Sequence, residues 1–357
     1  MIFLLTGVTG LVGSHTAIVL LAGGHRVAAL GRGRGGVTPE QRIREILRSW
    51  PGWRERNFPV SSLSVVEGDV SRPDCGLGAA ELDLLRGNID GIVHCAASVS
   101  FGGQNPGQEL AVNVAGVRQV AELAGALACR RIVHVSTAYL EQGMRGDGFR
   151  SAYEQSKMAG ERVLAEIAPR YDLEVAVVRP SIVTGDSVFG FSPTYNGIYP
   201  FLRCAAQFGA RRHRVRPSHW LPENLYRAGR VNLVPADHVA AVIRGVAEEA
   251  AGSAVYQVVA PVSWRVRDLV EVVAGHYGVA ADATGGPDAQ ELLTESEKRS
   301  FASLMEMYAP YFTVDLPVDG SATAALMKRR GIPPVTNDPG WIRALLTWGS
   351  QRNWREA

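Results

Sequence analysis

The chain opens on an apolar run, Ile2-Phe3-Leu4-Leu5, followed at once by Thr6-Gly7-Val8-Thr9-Gly10-Leu11-Val12-Gly13 and then by a helical stretch over Ser14–Leu21. A buried strand that turns sharply into a helix through three spaced glycines restricts the fold more than any other segment. Gly7 permits the tight turn, Gly10 lets the backbone approach a phosphate, and Gly13 lets the helix pack closely on the strand. The helix amino terminus adds unpaired N–H groups and the positive end of its dipole. Thr6, Gly7, Thr9, Gly10, Leu11, Val12 and Gly13 are therefore read as a cradle for a dinucleotide pyrophosphate.

Beyond this motif, short β-branched runs alternate with longer helical patterns, which is the mark of a parallel sheet covered on both faces. Strands are expected at Ile2–Thr6, Arg26–Leu30, Leu63–Val66, Gly91–His94, Arg131–Ser136 and Leu173–Val178, and helices at Gln108–Ala128 and Tyr153–Ala168. Thr38-Pro39 opens an inserted helix over Glu40–Arg48, with Thr38 as cap and Pro39 at the first helical position. After Arg179-Pro180 the alternation breaks, and glycine, proline and aromatic residues accumulate through Gly185–Pro222. It resumes with a strand at Val231–Val234, a helix at Asp237–Glu249 and a strand at Val255–Val259.

The expected fold class is α/β, a doubly wound parallel sheet of the Rossmann type with a smaller, interleaved C-terminal part for substrate. Residues 1–184, with returning elements at 231–260, form the nucleotide-binding core, and residues 185–357 form mainly the substrate part.

Charge is nearly balanced, with 37 Lys+Arg against 35 Asp+Glu, so no global field recruits nucleic acid or an anionic membrane. No run reaches the length of a membrane span, and the first apolar stretch is broken too soon for a signal peptide, which places the chain in the cytoplasm. Cys75, Cys95, Cys129 and Cys204 show no paired metal-site spacing and read as reduced thiols. No two histidines flank a glutamate at metal-binding spacing, so no metal is expected.

The second strand ends Ala28-Ala29-Leu30-Gly31-Arg32-Gly33-Arg34, with no acidic residue where a carboxylate would hold the adenosine ribose. A carboxylate would repel a 2′-phosphate, whereas Arg32 and Arg34 can fork to one, so the motif favours NADP, used as NADPH, over NAD. Gly68-Asp69-Val70 closes the third strand, placing Asp69 and Val70 against the adenine; Asp69 can equally cap the next turn.

Tyr153-Glu154-Gln155-Ser156-Lys157 puts a tyrosine and a lysine one turn apart on a helix face. A tyrosine donates a proton usefully near neutral pH when its anion is stabilised, and an adjacent ammonium does that. The preceding strand ends Val135-Ser136-Thr137-Ala138-Tyr139, whose hydroxyls can polarise a carbonyl beside Tyr153.

These motifs, TGVTGLVG, the hydroxyl-bearing strand end and YEQSK, resemble those of the extended short-chain dehydrogenases/reductases. His94-Cys95-Ala96-Ala97-Ser98-Val99-Ser100-Phe101, Asn113-Val114-Ala115-Gly116, Arg179-Pro180-Ser181-Ile182-Val183 and Val231-Asn232-Leu233-Val234-Pro235-Ala236-Asp237 resemble in particular the fatty acyl-CoA reductase and thioester reductase branch, the male sterility NAD-binding group. The resemblance implies hydride transfer from NADPH to an acyl thioester, giving aldehyde or alcohol. It assigns Thr137 to the carbonyl oxygen, with Ser136 as the neighbouring hydroxyl, and Tyr153 to proton donation. Lys157 would lower the tyrosine pKa and hold the ribose, and Asn113 would support the lysine through a water. Ala96, Ala97, Pro180 and Ile182 fall at positions that line the cofactor. Ketone or aldehyde reduction, sugar-nucleotide epimerisation and a non-catalytic NADP sensor remain open on this scaffold.

The chain carries no adenylation domain and no carrier domain, so the thioester is expected on coenzyme A or on a separate carrier protein. Arg211-Arg212-His213-Arg214-Val215-Arg216 could grip coenzyme A phosphates or an acidic carrier helix, or be a solvated loop. Trp341, Leu345 and Trp348 share one helical face that could meet a membrane, an acyl chain or the core. Oligomeric state is not legible.

Overall fold

The strands are mostly apolar toward both faces, so the sheet is covered on both sides. The computed structural model describes residues 1–53, 58, 60–99, 106–144, 146, 148–211, 220–249, 252–279, 294–312, 316 and 318–355. Seven parallel strands form the sheet: β1 (Ile2–Thr6), β2 (Arg26–Gly31), β3 (Leu63–Glu67), β4 (Gly91–His94), β5 (Arg131–Val135), β6 (Glu174–Pro180) and β7 (Ala254–Val258). Their spatial order is β7-β6-β5-β4-β1-β2-β3, which places the topological switch between β1 and β4. A ligand crevice is expected there, at the carboxyl ends of the strands.

On one face Phe3, Leu5, Val93 and Val133 pack against helices α1 (Leu11–Ala22) and Ala236–Glu248. On the other, Leu4, Ile92 and Ile132 meet Val117 and Leu123 of the helix Gly116–Ala126 and Leu164 of the helix Ala152–Ile167. A third apolar cluster joins Ile198, Phe201, Trp264, Phe312, Trp341 and Leu345 from the later part of the chain.

Helix α2 (Pro39–Ser49) begins as its sequence requires. The Thr38 hydroxyl accepts from the Gln41 amide at 3.2 Å, and the Gln41 side chain accepts from the Thr38 amide at 3.1 Å. This reciprocal pairing satisfies two amide donors at the helix start, and Pro39 presets the first turn.

Two expectations need correction. The expected helix Gln108–Ala128 begins at Pro106 and is interrupted by a π-helical turn over Ala111–Ala115, which contains Asn113. The expected strand Val231–Val234 is two pieces. Arg230–Val231 pairs antiparallel with Trp264–Arg265, and Leu233–Pro235 pairs parallel with Ile182–Thr184. The cause is Asn232, whose side-chain amide bonds the backbone N–H and C=O of Ala260, both at 2.9 Å, and so stands in for a strand partner where the chain changes sheets.

Trp341, Leu345 and Trp348 are buried in the core. Among the described residues no helix is long and apolar enough to cross a membrane, and no cluster of three or more His, Cys, Asp or Glu side chains could hold a metal ion. Of the basic run only Arg211 lies within the described residues, as do neither Ser100 nor Phe101 of the β4 motif.

Candidate active site

The carboxyl ends of β1, β2, β4, β5 and β6 open into one cleft of about 710 Å³. Its floor is the glycine turn. Gly7 holds φ +75°, and a Cβ there would sit 2.6 Å from the Ala96 nitrogen. A Cβ at Gly13 would sit 2.1 Å from the Gly7 carbonyl, so the close packing of α1 on the turn needs a bare α-carbon. Gly10 caps α1 in an extended conformation and leaves the helix amino terminus facing the cleft. This floor fits a pyrophosphate, which needs bare backbone and unpaired amides.

Thr9, Leu11, Val12, Ala96, Ala97, Pro180 and Ile182 also line the cleft. Thr6 does not. Its hydroxyl pairs with His94 Nδ1 at 2.8 Å and accepts from the Ala96 amide at 3.2 Å, so it anchors the β4 loop from behind.

At the far end of β2, Arg32 and Arg34 line the cleft with Asp69 and Val70. Arg32 Nη1 donates to Asp69 Oδ2 at 3.1 Å, and Asp69 Oδ1 accepts from the Ser71 amide and hydroxyl. Burial raises the Asp69 pKa, but the bonds from Ser71 and Arg32 outweigh it, and the carboxyl ends below its ordinary value. Sequence reasoning missed Arg42. It lines the cleft from α2 and donates to the Arg32 carbonyl at 2.7 Å. Burial and the charges of Arg34 and Arg32 lower its pKa, in that order. Three guanidinium groups gathered on one wall repel each other, and an anion between them would relieve that. Its signal in the sequence was the capped helix after the Arg32 loop, which carries Arg42 back over β2.

The opposite end holds Ser136, Thr137, Tyr153 and Lys157. Ser136 and Thr137 are buried, and Thr137 Oγ1 accepts from the Tyr139 amide at 3.4 Å. Ser151 caps the helix α3 (Ala152–Ile167), accepting from the Glu154 amide at 3.2 Å, and the i,i+4 spacing within that helix brings Tyr153 and Lys157 to the same side. Lys157 is 1% exposed, and its ammonium donates to the Val135 carbonyl at 2.7 Å. Burial pulls its pKa down to about 8, against smaller upward pulls from Glu161 and Cys95.

The Tyr153 pKa runs opposite to expectation. Burial, then the charges of Glu154 and Glu109, push it up rather than down. Lys157 spends its hydrogen bond on β5, and beneath it the stacked rings of His94 and His134 are held neutral by burial and by the lysine charge.

Asn113 lies behind the cleft rather than in it. Its side chain donates to the Ser98 carbonyl and to Ser156 Oγ, both at 2.9 Å, and accepts from the Ser98 amide at 2.8 Å. Ser156 Oγ in turn donates to the Tyr153 carbonyl at 2.8 Å. Asn113 therefore ties the β4 loop directly to the helix that bears Tyr153. The π-helical turn gives it this aim, because one extra residue rotates the side chain out of the regular ladder.

The seven-stranded parallel sheet and the glycine floor define a protein of the Rossmann-type dinucleotide-binding class. Residues 5–243 match the male sterility protein family, and the chain belongs to it. It is 29% identical over 268 residues to the L-2-aminoadipate reductase large subunit of Penicillium chrysogenum, covering 67% of this chain and 18% of that protein. It is 32% identical over 149 residues to fatty acyl-CoA reductase 1 of Mus musculus, covering 38% of this chain and 28% of that protein. The chain thus spans less than a third of either relative. Among solved structures, the reductase domain of a nonribosomal peptide synthetase from Mycobacterium tuberculosis superposes with a TM-score of 0.75 at 21% identity, covering 99% of this chain and 92% of that one, which is a likeness of fold.

Proposed function

We propose that the protein reduces acyl thioesters, carried on coenzyme A or on a separate carrier protein, to aldehyde or alcohol with NADPH. The observation that carries this reading is one cleft with a guanidinium wall at one end and Thr137, Tyr153 and Lys157 at the other. The names of the relatives, an aminoadipate reductase, a fatty acyl-CoA reductase and a peptide synthetase reductase domain, support the substrate class.

When bound, the reduced nicotinamide supplies hydride. The Gly7–Gly13 turn would hold its pyrophosphate, Arg32, Arg34 and Arg42 its 2′-phosphate, and Lys157 its nicotinamide ribose. The Thr137 hydroxyl donates a hydrogen bond to the thioester carbonyl oxygen and orients it beside Tyr153. Burial keeps the Tyr153 proton on the phenol until negative charge builds on that oxygen, and the proton then passes to it. The thiohemiacetal collapses by expelling the thiol, which leaves the aldehyde. Exchange of NADP⁺ for a second NADPH and reprotonation of Tyr153 would let a second hydride and proton reach the aldehyde and give the alcohol.

The test is consumption of NADPH, read by its absorbance, with acyl-CoA thioesters and carrier-bound acyl chains of several lengths. Tyr153→Phe should reduce turnover by about a hundredfold or more with NADPH binding intact, the scale of a lost general acid. Turnover that survives this substitution, or no oxidation with any thioester, overturns the proposal.

A further inference from the structure

The residue before the cap of the Tyr153 helix, Arg150, carries a cation with an unusual set of neighbours. The Arg150 side chain is 9% exposed, and its two terminal nitrogens are buried without a hydrogen-bond partner among the described residues. Its guanidinium carbon lies 5.5 Å from the centre of the Tyr139 ring and 5.6 Å from that of Tyr311. Those rings meet edge to face at 5.1 Å, and both line the cleft. Arg150 Nη1 is 3.5 Å from Glu154 Oε1, and its backbone N–H donates to Glu154 Oε2 at 3.0 Å. Ser151 between them is fixed from two sides, accepting from the Glu154 amide and from the Tyr311 hydroxyl, each at 3.2 Å.

Glu154 is 1% exposed and directly follows Tyr153. A bare carboxylate at that depth would be costly, and it would oppose any negative charge on the neighbouring phenol. Tyr153 is faced by Glu154 from its own helix and by Glu109 from Pro106–Leu110, with Lys157 one turn further along the same helix, and Glu154 is faced by Arg150, Tyr139 and Tyr311. Arg150 stabilises by charge and by contact with ring faces rather than by hydrogen bonds, as a guanidinium in a dry aromatic site does.

We infer that Arg150 is a positioning residue for proton donation: paired with Glu154 and clamped between Tyr139 and Tyr311, it holds that carboxylate at the helix start and cancels its charge beside Tyr153. The inference rests on Tyr153 being the proton donor.

The test is a cycle of Arg150→Met, Glu154→Gln and the double variant, with Arg150→Lys as the conservative change and Tyr153→Phe as the control. Turnover and its pH profile, the thioester KM, the Kd for NADP⁺ and the melting temperature are measured for each.

Arg150→Met leaves Glu154 uncompensated, so kcat should fall about tenfold, the equivalent of one pKa unit, and the alkaline limb of the profile should move to higher pH. Glu154→Gln leaves the cation alone, so the limb should move to lower pH. The double variant should return both kcat and the limb toward the parent, Arg150→Lys should retain most of kcat, and the Kd for NADP⁺ should hold throughout.

A double variant no better than Arg150→Met, or limbs that move the same way in both single variants, overturns the role of Arg150 while Tyr153→Phe stays inactive. An active Tyr153→Phe instead overturns the reading beneath it. If Arg150→Met does not fold, the direction of the limb in Glu154→Gln still decides.

Discussion

A lysine with one hundredth of its surface exposed is the most consequential single residue in the cleft. Burial is the larger influence on Lys157, and its pKa of about 8 lies well below the value of 10.5 that it regains on unfolding. Between those two values the unfolded chain binds a proton that the folded chain does not, so Lys157 makes stability rise as pH increases through that window. Below about pH 8 both states are protonated and the cost of burying the charge is at its full size. Relative to Lys157→Met, the cofactor-free protein should therefore gain on the order of 3 kcal/mol between pH 8 and 10.5, measured by denaturant unfolding at a series of pH values. A flat difference would mean that the ammonium is better solvated than its burial implies. The sequence displayed Tyr153, Lys157, Thr137 and the glycines because each lies in a short local pattern. It did not display the rise in the Tyr153 pKa, the stacked His94 and His134 rings or the aim of Asn113, since those depend on residues brought together across strands.

Among the elements, α2 shows how a locally legible helix can carry an illegible function. Thr38, Pro39 and Gln41 fix where it starts, and from that start Arg42 falls on the turn that overlies the Arg32 loop. Arg42 approaches from a different element than Arg32 and Arg34, so the spacing of the β2 motif could not reveal it. If the three hold a 2′-phosphate, Arg42→Ala should raise the KM for NADPH by about tenfold or more, the scale of a lost hydrogen bond to a charged group, and leave the KM for NADH nearly unchanged. Steady-state kinetics with both cofactors checks this, and equal losses would make Arg42 a support for the loop. The strand boundaries were legible to within a residue or two because buried parallel strands are continuous apolar runs. The split at Asn232 was not, since Val231, Leu233 and Val234 read as one strand until the amide is seen bonding Ala260.

At the scale of the whole molecule, the helix Pro339–Gln351 joins the cleft wall at Pro193–Gly197 to the core. Trp341 Nε1 donates to Thr184 Oγ1 at 3.0 Å, just where the chain leaves the sheet, and Trp348 Nε1 donates to the Ser192 carbonyl at 3.2 Å. Gly190, at φ +68°, packs so closely on this helix that a Cβ would sit 2.2 Å from the Ala344 carbonyl. The segment so held runs directly into Pro193, Thr194 and Asn196 of the cleft wall. The amphipathic face of Trp341, Leu345 and Trp348 was visible in the sequence, but its partner was not, because apolar faces look alike whether they meet a core, a chain or a lipid. Trp341→Ala removes a buried indole and its hydrogen bond, so it should cost about 3–5 kcal/mol in unfolding free energy. Because Trp341 is not among the residues that line the cleft, the folded fraction should bind NADPH with nearly unchanged Kd. The same variant should show a raised KM for the acyl substrate, since the helix that Trp341 anchors braces the cleft wall at Pro193–Gly197. Calorimetry, NADPH titration and thioester kinetics on this one variant separate the three effects, and a parallel loss of NADPH binding would mean that the two ends of the cleft fold as one unit.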